Sequence, residues 1–211
     1  MRDTVYFLAF DGFADWHAAH ALCEIRRPGD WRLQTVGFSL QPVLSMGGLR
    51  VLPELTLDEM ELDRAALLIV PGGYAWEHGQ GEVAVQAARR VYTAGAPVAA
   101  IDSGVLVLAR AGLLDACRHT GSWPGHIGTH VPTYTGAEQY DATVLAVSDG
   151  GVITASQLGS VEFAREVIRT LDLYSPSDRE LWFRLFKHAM PPPWCAGEMA
   201  TATATASAEA A

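Results

Sequence analysis

The chain has 211 residues, 49% of them hydrophobic and 18% charged, enough to bury a full core in one globular domain. Its 15 Lys and Arg against 24 Asp and Glu leave a formal charge of -9, which argues against nucleic acid and anionic membrane as partners and favours a small-molecule substrate or other proteins. No apolar run reaches about 18 residues and no secretory pattern opens the chain, so the cytoplasm is the expected compartment; Cys23, Cys117 and Cys195 form no CxxC pair and fit neither a disulfide framework nor a zinc ribbon.

Residues 4–10 (TVYFLAF) read as a buried strand that stops at Asp11-Gly12, because β-branched and aromatic residues run up to a turn dipeptide. Residues 14–27 follow with a helical stripe of Trp16, Ala19, Leu22, Cys23 and Ile25, ended by Pro28-Gly29. That stripe turns Cys23 towards the core. Residues 33–38 read as a second strand, and 43–45 with 49–52 as a hairpin around Met46-Gly47-Gly48. Residues 65–70 (AALLIV) are a fully apolar strand ended by Pro71-Gly72-Gly73, residues 83–93 a helix, and residues 97–101 (PVAAI) a further buried strand broken by Asp102-Ser103-Gly104. A helix over 105–111, a hairpin of 144–147 with 152–155 around Asp149-Gly150, a helix over 161–171, and another that begins after the cap-like Ser175-Pro176-Ser177-Asp178 and runs to about His188 complete the pattern.

Continuous apolar strands alternating with helices predict an α/β fold, a three-layer α/β/α sandwich on a mostly parallel, flavodoxin-like sheet. The expected domain covers residues 1–188. Residues 189–211 are expected to be a tail, Pro-rich at first and then too poor in apolar bulk to fold alone.

Ligands of such sheets gather at the carboxyl ends of the strands near a switch in strand order. The turns at Asp11, Pro71-Gly72-Gly73 and Asp102-Ser103-Gly104 compete for that place. Asp102, between a buried strand and a helix of small residues, reads either as a helix N-cap or as a side chain on a sharp elbow. The Gly72-Gly73 pair reads as a tight turn or as a source of backbone donors for an oxyanion. Trp16, Trp76 and Trp123 either pack over the surface or wall a pocket. His126 and His130 have metal-ligand spacing, but no carboxylate accompanies them in sequence, and no metal is expected. No GxGxxG or Walker loop occurs, so no cofactor is expected either.

The segments VYFLAFDGFADWHAAHAL (5–22), LLIVPGG (67–73), PVAAIDSGVLVLARAGLLD (97–115), RHTGSW (118–123), DGGVITAS (149–156) and VEFAREVIRTLDLYSP (161–176) resemble the ThiJ/PfpI family, a class I glutamine-amidotransferase-like group. The resemblance extends to about Lys187 and is greatest to the bacterial branch described as intracellular proteases or amidases. It implies an elbow cysteine at position 102, an acidic partner at position 17, backbone donors at Gly73 and Ser103, and commonly a homodimer. Here positions 102 and 17 are Asp102 and His17. A dead site retained for ligand binding or assembly, a replacement introduced on purpose, or altered chemistry would each account for Asp102. The paired exchange favours altered chemistry: Asp102 as general base or nucleophile and His17 as a proton donor or shuttle suited to neutral pH, acting on a small carbonyl compound. The family's thiol chemistry is removed. The surrounding pocket is expected to draw on Asp15, Trp16, Gly72, Trp76, His119, Thr120, Ser122, Trp123 and His126.

Overall fold

A computed structural model describes residues 2–28 and 30–191. Gly29 of the expected helix stop, Pro192, Pro193, Cys195 and the Ala/Thr-rich tail lie outside the described residues. The chain forms two compact units, residues 1–173 and 174–211.

The first unit holds every strand. Strands β1 (Thr4–Leu8), β2 (Arg32–Gly37), β5 (Leu55–Thr56), β6 (Ala65–Val70), β7 (Val98–Ile101), β8 (Ala146–Asp149) and β9 (Val152–Ala155) make one sheet in the order β5-β2-β1-β6-β7-β9-β8. All neighbours are parallel except β8 with β9. Every residue of β1, β6 and β7 is buried, as expected for central parallel strands covered on both faces. Helix α1 (Asp15–Arg26) packs with α5 (Ser160–Thr170), and α2 (Glu82–Thr93) with α3 (Val105–Arg110). These pairs form the two helical layers of the predicted sandwich.

The Asp149-Gly150 hairpin forms as read, with Gly150 and Gly151 at φ of 56° and 80°, the left-handed pair that a tight hairpin turn requires. The expected hairpin around Met46 is the separate antiparallel pair β3 (Val43–Leu44) and β4 (Arg50–Val51). Sequence reading missed β5 and the five-residue helix α4 (His126–His130), both too short to show periodicity. In the second unit, α6 (Pro176–His188) starts at Ser175, whose hydroxyl accepts the Asp178 N–H. No described helix is long and apolar enough to cross a membrane.

Helix α1 is rotated relative to the expected stripe. It buries His17, Ala18, Ala21, Glu24 and Ile25, whereas Trp16 is 50% exposed and Cys23 is on the outside. The helix start sets this phase: Ala14 N–H donates to Gly72 O at 3.0 Å. Two polar residues then turn inward, His17 to meet the Gly72 N–H and Glu24 paired with the exposed Arg27 one turn on, 2.9 Å away. A hydrophobic stripe cannot register buried polar groups that are satisfied.

Candidate active site

Strand order reverses between β1 and β6, so the turns after β1, β6 and β7 converge at the carboxyl end of the central strands. Asp102 opens a single 3-10 turn between β7 and α3 at φ 56°. Asp is among the few residues with a side chain that tolerate this left-handed conformation. Gly104 lets the elbow close, because a Cβ there would lie 2.5 Å from Val70 O and 2.8 Å from Pro71 O.

The Asp102 carboxylate is 22% exposed. Its Oδ1 accepts the Ser122 hydroxyl at 2.5 Å, and Ser103 Oγ lies 3.4 Å from Oδ2. The Ser122 hydroxyl holds Oδ1, and neither carboxylate oxygen accepts from the backbone N–H groups that follow, so the N-cap reading does not describe this residue.

His17 is buried, with Nε2 3.9 Å from Asp102 Oδ2. The Gly72 N–H donates to its Nδ1 at 3.1 Å. That bond assigns the tautomer: Nδ1 is the acceptor, and the ring proton sits on Nε2, facing Asp102. Burial pushes the His17 pKa below its ordinary 6.5, with the Asp102 charge pulling the other way. His17 is therefore neutral at neutral pH. Of the two roles expected from the sequence, proton donor or shuttle, this geometry suits the donor, with Nε2–H facing Asp102. A Cβ on Gly72 would lie 2.6 Å from His17 Cε1 and 2.8 Å from Asp102 Oδ2, so this glycine is what allows the ring and the carboxylate to face each other.

The two expected backbone donors differ. Gly73 N–H donates to Ser103 Oγ at 2.9 Å, and Ser103 Oγ lies 3.1 Å from Gly73 O. This latch between the β6 and β7 turns occupies the Gly73 N–H and removes it as an oxyanion donor. The Ser103 N–H is among the first donors of the 3-10 turn, which have no partner within the turn.

Asp102, His17, Ser103 and Gly73 open into a cavity of about 340 Å³. Trp16 and Trp123 line it, as expected, and Trp16 packs edge-on against His17 with ring centroids 5.1 Å apart. Sequence reading missed Ala14, Met46, Tyr74, Glu77, Gln157 and Leu158 in the wall. Met46 arrives because Gly47 N–H donates to Asp15 Oδ2 at 2.6 Å and Met46 N–H to Phe13 O at 2.8 Å, which pins the β3-β4 hairpin over the start of α1. Asp15 thus holds a wall in place without lining the cavity.

Three other expected pocket residues are elsewhere. Trp76 is fully buried, its Nε1–H donating to Pro71 O at 2.8 Å and its ring 4.4 Å from that of Phe10. His119 is held between Tyr134 OH at 2.6 Å and Cys117 O at 2.9 Å. Thr120 bonds Thr154 and Val144 across the sheet edge. All three are polar groups satisfied inside the fold. Burial, reinforced by the Asp149 charge, pushes the Cys117 thiol up to about 11, so Cys117 does not stand in for the missing thiolate.

His126 is buried under Trp123, with ring centroids 4.0 Å apart, and its Nε2 is 3.1 Å from Glu77 Oε1. His130, one turn later in α4, joins them so that one ligand atom from each residue lies within 4.8 Å of the others. The carboxylate absent from the local sequence comes from the loop after β6, 49 residues away.

Residues 3–170 match the family model described as DJ-1/PfpI. A Bacillus subtilis relative named as an uncharacterized protease is 29% identical over 194 residues, covering 89% of this chain and 92% of the relative. A deglycase of Thermococcus kodakarensis is 30% identical over 175 residues, 79% of this chain and 98% of its own length. Among solved structures, a ThiJ/PfpI family protein of Bacillus anthracis superposes with a TM-score of 0.84 at 29% identity, covering 90% of this chain and 94% of that one. A DJ-1 superfamily protein of Agrobacterium tumefaciens gives 0.82 at 29% identity, with coverage of 89% and 98%.

Proposed function

This chain belongs to the DJ-1/PfpI family, and from that premise we propose that it is an acid-base enzyme acting on a small carbonyl compound without a catalytic thiol. Relatives are named deglycases and proteases. The reading for this chain differs because its elbow carries a carboxylate facing an imidazole N–H. The observation that carries it is the Gly72 N–H bond to His17 Nδ1, which leaves His17 with one role, donation from Nε2.

A cavity of about 340 Å³ admits a small molecule and not a folded chain. Trp16, Tyr74, Trp123 and Leu158 supply apolar walls, while Asp102 and His17 supply the polar end. A substrate carbonyl oxygen placed there accepts His17 Nε2–H and the Ser103 N–H. Asp102 removes a proton from the adjacent carbon, and the electron pair moves onto that oxygen as an enolate held by the same two donors. The proton on Asp102 then returns to the γ-carbon when a neighbouring C=C extends the enolate, giving isomerisation, or to a β-hydroxyl that departs as the enolate electron pair forms the new C=C, giving loss of water. A neutral imidazole suits the donor role, because its proton is not lost to solvent at neutral pH.

The test needs no product identity. Solvent deuterium exchange at carbons next to the carbonyl, followed by NMR over a panel of small aldehydes, ketones and hydroxyketones in D2O, reads the first proton transfer directly. Asp102→Asn, a residue equally tolerant of positive φ, is expected to lower exchange by about 10²–10⁴-fold. His17→Gln is expected to lower it less. Equal exchange by wild type and Asp102→Asn across the panel would leave ligand binding without catalysis as the function of this cavity.

A further inference from the structure

We propose that Glu77, His126 and His130 form a binding site for one divalent transition-metal ion of the Zn²⁺ class. His126 and His130 are the first and last residues of α4, and four-residue spacing places both rings on one side of the helix. Glu77 comes from a separate segment, the loop between β6 and α2. The three ligand atoms lie within 4.8 Å of one another. Ligands around a tetrahedral ion stand roughly 3.3 Å apart, given metal–ligand bonds of about 2.0–2.2 Å. The Glu77–His126 pair, at 3.1 Å, already meets that spacing, and small rotamer changes of Glu77 and His130 close the rest.

A plain Glu77–His126 bond accounts for two of the three residues. It leaves unexplained why a second imidazole stands edge-on to His126, with ring centroids 4.9 Å apart. The His130 ring has no hydrogen-bond partner among the described residues. An ion that takes one nitrogen from each ring uses all three groups at once. His126 is 1% exposed and shielded by Trp123, so one ligand is preorganised and dry. Two imidazoles with one carboxylate are a borderline donor set that selects Zn²⁺, Co²⁺ or Ni²⁺ over Mg²⁺ and Ca²⁺, and they leave a fourth position open. Glu77 also belongs to the wall of the active-site cavity.

The experiment uses the full chain stripped with a chelator, with Zn²⁺ titrated against a chromophoric competitor and Co²⁺ added for its visible absorption. The wild type is expected to bind one Zn²⁺ per chain and to give the intense visible bands of low-coordinate Co²⁺, while Mg²⁺ and Ca²⁺ in excess do not compete. His130→Ala, at a half-buried position, and Glu77→Gln, which keeps a hydrogen bond to His126, are each expected to weaken Zn²⁺ by about 10–100-fold or more. Circular dichroism confirms that both variants fold. His78→Ala, at an exposed histidine outside the cluster, and Asp102→Asn are expected to bind as the wild type does. Binding that is absent in the wild type, or unchanged in both ligand variants, overturns the site. Neither result bears on the deuterium-exchange test of Asp102.

Discussion

Gly72→Ala places one methyl group between the side chains of His17 and Asp102. The added Cβ would stand 2.6 Å from His17 Cε1, 2.8 Å from His17 Nδ1 and 2.8 Å from Asp102 Oδ2. Ordinary non-bonded carbon contacts begin near 3.5 Å, so the ring must retreat by about 1 Å. Gly72 is not in a left-handed conformation, so alanine is allowed by the backbone and the effect reports on the contact alone. Overpacking costs about 1–3 kcal/mol, and weakening the buried Gly72 N–H bond to Nδ1 costs about 1 kcal/mol more. At about 2–4 °C per kcal/mol for a chain of this size, Tm should fall by about 4–16 °C. A displacement of that size in a catalytic pair should also slow deuterium exchange by about 10²-fold. The measurements are thermal melting followed by circular dichroism and the NMR exchange assay. Gly128→Ala is the control, because nothing lies within 4 Å of its added Cβ. A Gly72→Ala protein that melts and exchanges like the wild type would show that His17 and Asp102 do not meet across this glycine.

Two further outcomes follow from the buried titratable groups. Alkylation at pH 8, resolved by peptide mass spectrometry, should modify exposed Cys23 first and Cys117 about 100-fold more slowly, because a thiol pushed up to about 11 holds only about 10⁻³ thiolate there; equal rates would refute the burial of Cys117. Burial lowers the pKa of both His17 and His119 in the folded protein, so the unfolded chain, with histidines near 6.5, takes up protons first as pH falls. Stability from these two residues is complete above about pH 6.5 and is lost as pH falls through their folded values, whereas Glu166, raised by burial, acts in the opposite sense. The urea midpoint should therefore fall between pH 7.5 and 5 by more in the wild type than in His17→Gln or His119→Gln, and parallel profiles would contradict the assignment.

The sheet and its layers were legible because a strand buried on both faces must be apolar at every position, and TVYFL, AALLIV and VAAI are. Position 102 was legible for a related reason: a polar residue between such a strand and a helix stands at the end of the sheet where ligands collect. The phase of α1 was not, since its inward residues include His17 and Glu24, whose burial depends on partners at Gly72 and Arg27. Nor could sequence show that Gly73 has its N–H taken by Ser103 or that Trp76 and His119 face inward. Ser122, 20 residues beyond Asp102, and Glu77, 49 residues before His126, reach their partners only through the chain's return across the sheet. Apolar burial depends on a residue and its near neighbours, so the order of residues alone determined the architecture and the turns that border the candidate site. Hydrogen bonds depend on the direction and distance of one specific partner, so the His17 tautomer, the free and occupied N–H groups and the Glu77–His126–His130 cluster were decided only by tertiary structure.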